Sequence, residues 1–300
     1  MKKAFLFIVI ILCSASLYSA EPLVKFYLQD GSTKQYNLSE IANIQFPNAP
    51  ETLQLQVFTN DSKTFYYPVQ LIDTITFSIG QYSNQYVNLW HDGFKWDFAI
   101  HKIDSISIYY TTYVAVTIGE QHWMYRNLNV DHYRNGDSIP EVRGDYWAML
   151  SSGAWCYQAN DPANGAIYGK LYNWYAVNDS RVLAPKGWRI PALQDWSILE
   201  AFVTKQGMLG AALKEAGTEH WITPNTGASN ETGFSALPGG GRLAQPPPFP
   251  AKAPFSNFRI WCTMWTAEWR WTRNLKYDKS NIEMIGFLEI YGFSVRCIKD

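Results

Sequence analysis

Phe234–Arg242 reads FSALPGGGR. Three glycines ahead of a basic residue have the outline of a loop that cradles phosphate. A phosphate-binding loop of that kind needs GxxxxGK followed by Ser or Thr, set between a strand and a helix. Here Arg242 is followed by Leu243, Ala244, Gln245 and a run of prolines. No helix start is available to offer free backbone N–H groups to an anion. The glycines are therefore read as positions where the backbone takes angles that a side chain forbids. The stretch is a structural corner, which points away from a nucleotide-binding enzyme.

Working outward, the chain has 300 residues, enough for one large domain or two ordinary ones. Its net charge is -1, with Lys and Arg scattered, so no basic field marks it for nucleic acid. Aromatic residues make up 16% of it, which fits either aromatic cores or flat stacking platforms.

The beginning of the chain has the form of an export signal. Lys2 and Lys3 precede the apolar run Ala4–Leu12, which is too short to span a bilayer. Small residues follow, with cleavage expected after Ala20, although Tyr18 is a poor residue so near the cut. A lipid anchor on Cys13 is disfavoured because Leu12 stands where a small residue belongs. No later stretch is long and apolar enough for a membrane helix. The expectation is an exported protein, periplasmic, cell-surface or secreted, with no stable membrane span once residues 1–20 are removed. Cys156, Cys262 and Cys297 then remain, in a setting that permits disulfides. Cys262 and Cys297 both lie in strand-like segments that could be neighbours, and they are the disulfide candidate. The odd third thiol is free or pairs between chains.

Residues 21–112 repeat at a spacing of 31. Asp30/Asp61/Asp92, Tyr36/Tyr67/Phe98, Leu38/Val69/Ile100, Ile41/Ile72/Ile103, Ile44/Ile75/Ile106 and Phe46/Phe77/Ile108 stay in register. Three copies of one unit explain this better than chance. Within a copy, Val24–Leu28 alternates as a half-buried strand does, and Asp30-Gly31 marks a tight turn before a second strand. The recurring Asp could form a ligand site, but Asp ahead of Gly starts turns by bonding its own backbone. One hairpin cannot bury its apolar face alone, whereas three packed together can. The region reads as a β spacer or interaction module.

From about Tyr113 the echo stops. Asn160–Gly165 reads as a turn cluster, and Tyr168–Val177 as buried. Trp196, Leu199, Phe202 and Val203 recur as one face of a helix, with a second short helix over Leu209–Ala216. Strand-like segments occupy Phe258–Trp271 and Ile282–Ile298, after a proline-rich insert. The motifs TIGEQHWMYRNLNV (117–130), YGKLYNWYAV (168–177), APKGWRIPALQDWSIL (184–199), ETGFSALPGGGR (231–242), WTAEW (265–269) and GFSVRCIKD (292–300) appear in order. Together they resemble the Fibrobacter-type major paralogous domain, a secreted bacterial family related to formylglycine-generating enzymes. The resemblance covers about 113–300 and implies a C-type-lectin-like fold. It implies far less about activity. Gly165 and Ala184-Pro185 stand where members often carry Cys and Cys-Pro, which puts the family's bridging in doubt and leaves Cys156 as the candidate free thiol. The fold class expected is α+β, a lectin-like domain over 113–300 preceded by an all-β region of three hairpin repeats over 21–112.

Several chemistries can be weighed. The oxidase relatives would need two cysteines close enough to share copper, a metal suited to thiolates, and no closely spaced pair exists here. His91, His101, His122, His132 and His220 form no HExxH. Glu268, Asp278, Glu283 and Glu289 could supply paired carboxylates for glycoside cleavage, but sequence fixes no separation between them. Asn160-Asp161 and Asn178-Asp179 could contribute to calcium, without a lectin-type Glu-Pro-Asn signature. Binding is the stronger expectation. Met264–Arg273 reads MWTAEWRWTR, placing Trp265, Trp269 and Trp271 near Arg270, Arg273 and Asn274. Flat aromatic faces suit sugar rings, and polar neighbours set orientation. If the segment is one strand, Trp269 and Trp271 share a face and Arg270 takes the other. The rival reading places these tryptophans in the core. The ligand-binding candidates are Trp265, Trp269, Arg270, Trp271 and Asn274, with no catalytic residue, no metal and no cofactor. A glycan or a surface protein is the expected partner. An enzyme of the formylglycine-generating type and a purely structural envelope component are the alternatives.

Overall fold

The computed structural model describes residues 113–245 and 251–300 continuously; ahead of residue 113 it describes ten strands and the short stretches 61–63, 69 and 72. The chain is mixed α and β, mostly antiparallel sheet with few helices. It divides into two compact units, Met1–Thr117 and Ile118–Asp300.

The first unit holds β1 (Ile8–Cys13), β2 (Leu23–Tyr27), β3 (Thr33–Asn37), β4 (Asn43–Ile44), β5 (Leu53–Thr59), β6 (Thr64–Pro68), β7 (Thr74–Ile79), β8 (Gln85–His91), β9 (Phe94–Ala99) and β10 (Ile103–Tyr110). One sheet has the order β3-β2-β1-β10-β5-β6 and the other β4-β7-β8-β9. Ile8–Cys13, inside the stretch read as a leader, pairs with β10 and β2. β2 with β3, β5 with β6, and β8 with β9 are antiparallel partners. In β5, Leu55 and Val57 alternate into a core that also takes Tyr67, Val69, Ile72, Ile75, Val87, Leu89 and Ile106. Asp61 sits in the β5–β6 turn and accepts a 2.5 Å hydrogen bond from Thr59 Oγ1, while Ser62 N–H donates to Thr59 O. Its carboxyl is spent on the turn. Asp30 and Asp92 lie outside the described residues.

The second unit is built from short strands and irregular loops: β11 (Ala115–Ile118, at the boundary), β12 (Gln121–Met124), β13 (Trp155–Cys156), β14 (Leu171–Asn173), β15 (Trp188–Arg189), β16 (Gly241–Arg242), β17 (Phe255–Ser256), β18 (Trp261–Trp265), β19 (Trp271–Lys276), β20 (Glu283–Gly286), β21 (Gly292–Phe293) and β22 (Ile298–Lys299). Among the described residues three α-helices join them: α1 (Pro162–Tyr168), α2 (Trp174–Val177) and α3 (Leu193–Lys205). One sheet has the order β13-β14-β21-β16-β17, another β18-β19-β20.

The stretch read as a turn cluster at 160–165 begins α1. Asp161 caps it by accepting from Ala163 N–H at 2.9 Å, and Pro162 fits the first turn, where its missing donor costs nothing. In α3, Trp196, Leu199 and Val203 are buried, as their spacing requires. Asp195 accepts from Ala192 N–H at 2.7 Å and pairs with Arg189. The short helix expected over Leu209–Ala216 is a 3-10 turn, Gly210–Leu213. Trp123, Trp196 and Phe234 pack ring to ring, 4.9 to 5.9 Å between centroids.

The FSALPGGGR stretch belongs to this core. Gly240 N–H donates to Trp261 O at 2.9 Å, so that donor is committed within the fold. Gly240 has φ of 62°, and a Cβ there would lie 2.4 Å from Ser256 O. A Cβ on Gly241 would lie 2.4 Å from the Phe293 ring. Arg242 is buried and stacks on Trp147 and Phe255 at 4.8 and 5.1 Å. Its guanidinium donates to the carbonyls of Val142, Arg143, Gly144 and Ala253. A phosphate would find the cation already saturated. Two further buried cations staple loops in the same way. Lys214 Nζ donates to Thr226, Lys276 and Lys279 carbonyls at 2.9 to 3.1 Å. Arg296 donates to Asn127 Oδ1 and to the Phe234 carbonyl.

Candidate functional site

MWTAEWRWTR is a hairpin, not one strand. β18 ends at Trp265, residues 266–270 turn, and β19 starts at Trp271. Thr266 N–H donates to Trp271 O at 3.0 Å and Trp271 N–H to Glu268 O at 3.2 Å, which closes the loop. Arg270 completes the turn in the left-handed region, with φ of 66°. For a residue with a side chain this costs on the order of 1 kcal/mol, so the surrounding contacts must hold it.

They do so from several sides. Ala267 N–H donates to Pro191 O at 2.8 Å, and Glu268 Oε2 accepts from Leu193 N–H at the start of α3, also at 2.8 Å. On the other side, Phe287 N–H donates to Arg270 O at 3.0 Å. The 287–291 turn is itself anchored: Trp174 N–H donates to Glu289 O, and Trp147 Nε1–H to Ile290 O. Between these two rigid loops lies a shallow hollow of about 540 Å³. Trp269, Arg270 and Trp271 form one wall, Phe287, Leu288 and Tyr291 the other, and Gly286 completes it.

Glu289 organises the rim. Its Oε2 accepts from Arg270 Nη2 at 2.6 Å and its Oε1 from Trp269 Nε1 at 3.1 Å. The Arg270 guanidinium holds the Glu289 carboxyl below the usual carboxylate range. Arg270 also stacks over the Trp269 ring, 4.2 Å from its centroid. Trp269 is nonetheless 62% exposed and Trp271 39% exposed.

The sequence candidates therefore separate. Trp269, Arg270 and Trp271 meet at the hollow. Trp265 is 0% exposed, donates through Nε1 to Tyr172 O at 2.8 Å, and packs on Trp174 and Phe293; it is core. Asn274 is also 0% exposed, on the inner face of β19, where Nδ2 donates to Thr272 Oγ1. Closeness in sequence to Trp269 groups both with the site, but each lies on a strand of the hairpin with its side chain turned inside. Arg273 pairs with Glu200 of α3 at 3.1 Å. Phe287, Leu288 and Tyr291 carry no sequence signal as lining residues, since nothing local ties them to a hairpin some 20 positions upstream; Glu289 reads in the sequence only as a candidate acid.

The proposed Cys262–Cys297 bridge is absent, and both thiols are free. Cys262 lies on β18 opposite Leu275, whereas the Cys297 carbonyl accepts from Met124 N–H beside β12 and β22. Of the two, only Cys262 lies in a strand; Cys297 stands in irregular chain just ahead of β22. Burial pushes the thiols of Cys156 and Cys262 up to about 12 and that of Cys297 higher still, which disfavours the thiolates that copper needs. Three of the four carboxylates weighed for glycoside cleavage are engaged: Glu268 at α3, Glu283 with Lys276 and Lys279, Glu289 with Arg270; Asp278 is not among the residues lining the hollow. Asp161 caps α1 and Asp179 pairs with Arg181. Among the described residues no group of three or more His, Cys, Asp and Glu side chains converges as a metal site, and no helix is long and apolar enough to cross a membrane.

No curated protein and no solved structure matches the chain. A family model does, described as the Fibrobacter succinogenes major domain, over residues 116–299. That span takes in the glycine corner, the tryptophan hairpin and the hollow, and the chain belongs to the Fibrobacter succinogenes major domain family.

Proposed function

We propose that the protein is an exported, non-enzymatic binding protein that captures a glycan or a surface partner in the hollow between Trp269 and Tyr291. The observation that carries this reading is the 62% exposure of Trp269 on a loop fixed from both sides. A large aromatic side chain gains by burial, on the order of 2 kcal/mol, so holding one rigidly in water suits a waiting partner. The leader form of Met1–Ala20 supports export to the periplasm, the cell surface or the medium. The collinear motifs support a C-type-lectin-like scaffold over 113–300. The six positions spaced at 31 support three hairpin repeats over 21–112, acting as a spacer or interaction module.

A glycan array probed with the full chain and with a Trp269→Ala, Trp271→Ala variant tests the reading. Retention by the parent and loss in the variant is the expected outcome. Silence for both proteins removes the sugar reading and leaves a protein partner, to be sought by crosslinking at position 269.

A further inference from the structure

We infer that the hollow selects an uncharged pyranose, stacked on the free face of Trp269, over acidic sugars; the inference rests on the binding reading above. Charge carries it first. Arg270 is the one cation among the residues lining the hollow, and its Nη2 is bonded to Glu289 Oε2 at 2.6 Å. The pair sums to zero. A uronate or sulfate entering the site must either compete with Glu289 for the guanidinium or bring its own charge against that carboxylate. A neutral sugar meets neither cost.

The ring carries it second. One face of Trp269 is covered by the Arg270 guanidinium, and the Nε1–H is already given to Glu289 Oε1. What remains for a ligand is an apolar π face with its donor edge in use. That surface matches the C–H face of a pyranose whose hydroxyls point outward from the ring edge. Trp271 and the Phe287–Tyr291 wall, with ring centroids 5.8 Å apart, extend the apolar surface to an adjoining residue of a chain.

The conformation carries it third. A glycine at 270 would adopt φ of 66° without strain. An arginine is found there, and its guanidinium covers the ring and neutralises Glu289. The strained residue builds the platform and cancels its charge together.

The test titrates the full chain with cellohexaose and mannohexaose as neutral probes and with tetragalacturonate as the acidic probe, read by calorimetry and tryptophan fluorescence. The expected result is binding of a neutral hexaose that changes less than about twofold between low and high NaCl. Trp269→Ala should weaken it about tenfold or more, and Trp269→Phe should retain most of it. Tighter binding of tetragalacturonate, falling steeply with salt, overturns the neutral selection and leaves the binding reading standing. Neutral binding that Trp269→Ala leaves unchanged also overturns the inference, by placing the sugar elsewhere. No binding of any probe, together with a silent array, overturns the inference and the sugar reading it rests on, leaving only a protein partner.

Discussion

Trp265 and Trp269 stand in the same WTAEW motif and have opposite fates. Trp269→Ala should leave the melting temperature within about 2 °C of the parent while removing ligand binding, because it deletes no buried contact. Trp265→Ala should cost about 3–5 kcal/mol in chemical denaturation, since it opens a cavity among Tyr172, Trp174 and Phe293. Lys214→Met tests the buried cations: it keeps much of the stem volume but leaves three carbonyls without their donor, and should cost about 3 kcal/mol by the same measurement. At this scale the sequence was partly legible. The cluster of tryptophans and Arg270 marked the right segment. Composition could not say which ring faces water, because that depends on where the chain reverses.

The reversal itself belongs to the scale of the element. Thr266–Arg270 contains no Gly, Pro or Asn, so it lacks the usual signature of a turn. Its left-handed position is filled by Arg270, and so the hairpin was read as a strand. By contrast Asp161-Pro162 did carry a helix start, in a cap and a first-turn proline, which the neighbouring Asn and Gly obscured. Arg270→Gly should change stability by less than about 1 kcal/mol, with relieved strain offsetting a lost surface pair, yet weaken binding because Trp269 loses its backing. The pH response follows from Glu289. Its folded carboxyl titrates below the ordinary value of 4.5, so the clamp is whole above that value and is lost as pH falls through the lower, folded one. Ligand affinity measured by calorimetry should stay level from about pH 8 to about pH 5 and drop only in stronger acid. Glu289→Gln should remove that acid drop and start from a weaker affinity.

For the whole molecule, collinear motifs were the legible part. They placed residues past Tyr113 in a family whose model spans 116–299. Cysteine pairing was not legible, since Cys262 lies within β18 while Cys297 falls in the irregular chain just ahead of β22, and both thiols are free. The two compact units predict separable folding: a fragment beginning at Tyr113 should melt within about 3 °C of the corresponding transition in the full chain, by calorimetry. Arg242 and Asp145 fasten Ala253, and Gln245 and Lys252 exchange backbone hydrogen bonds, so the two flanks of the proline-rich insert are tied together. A foreign epitope exchanged for the residues between Gln245 and Ala251 would begin and end on that clasp, making the clasp a natural graft point for displaying peptides on this scaffold.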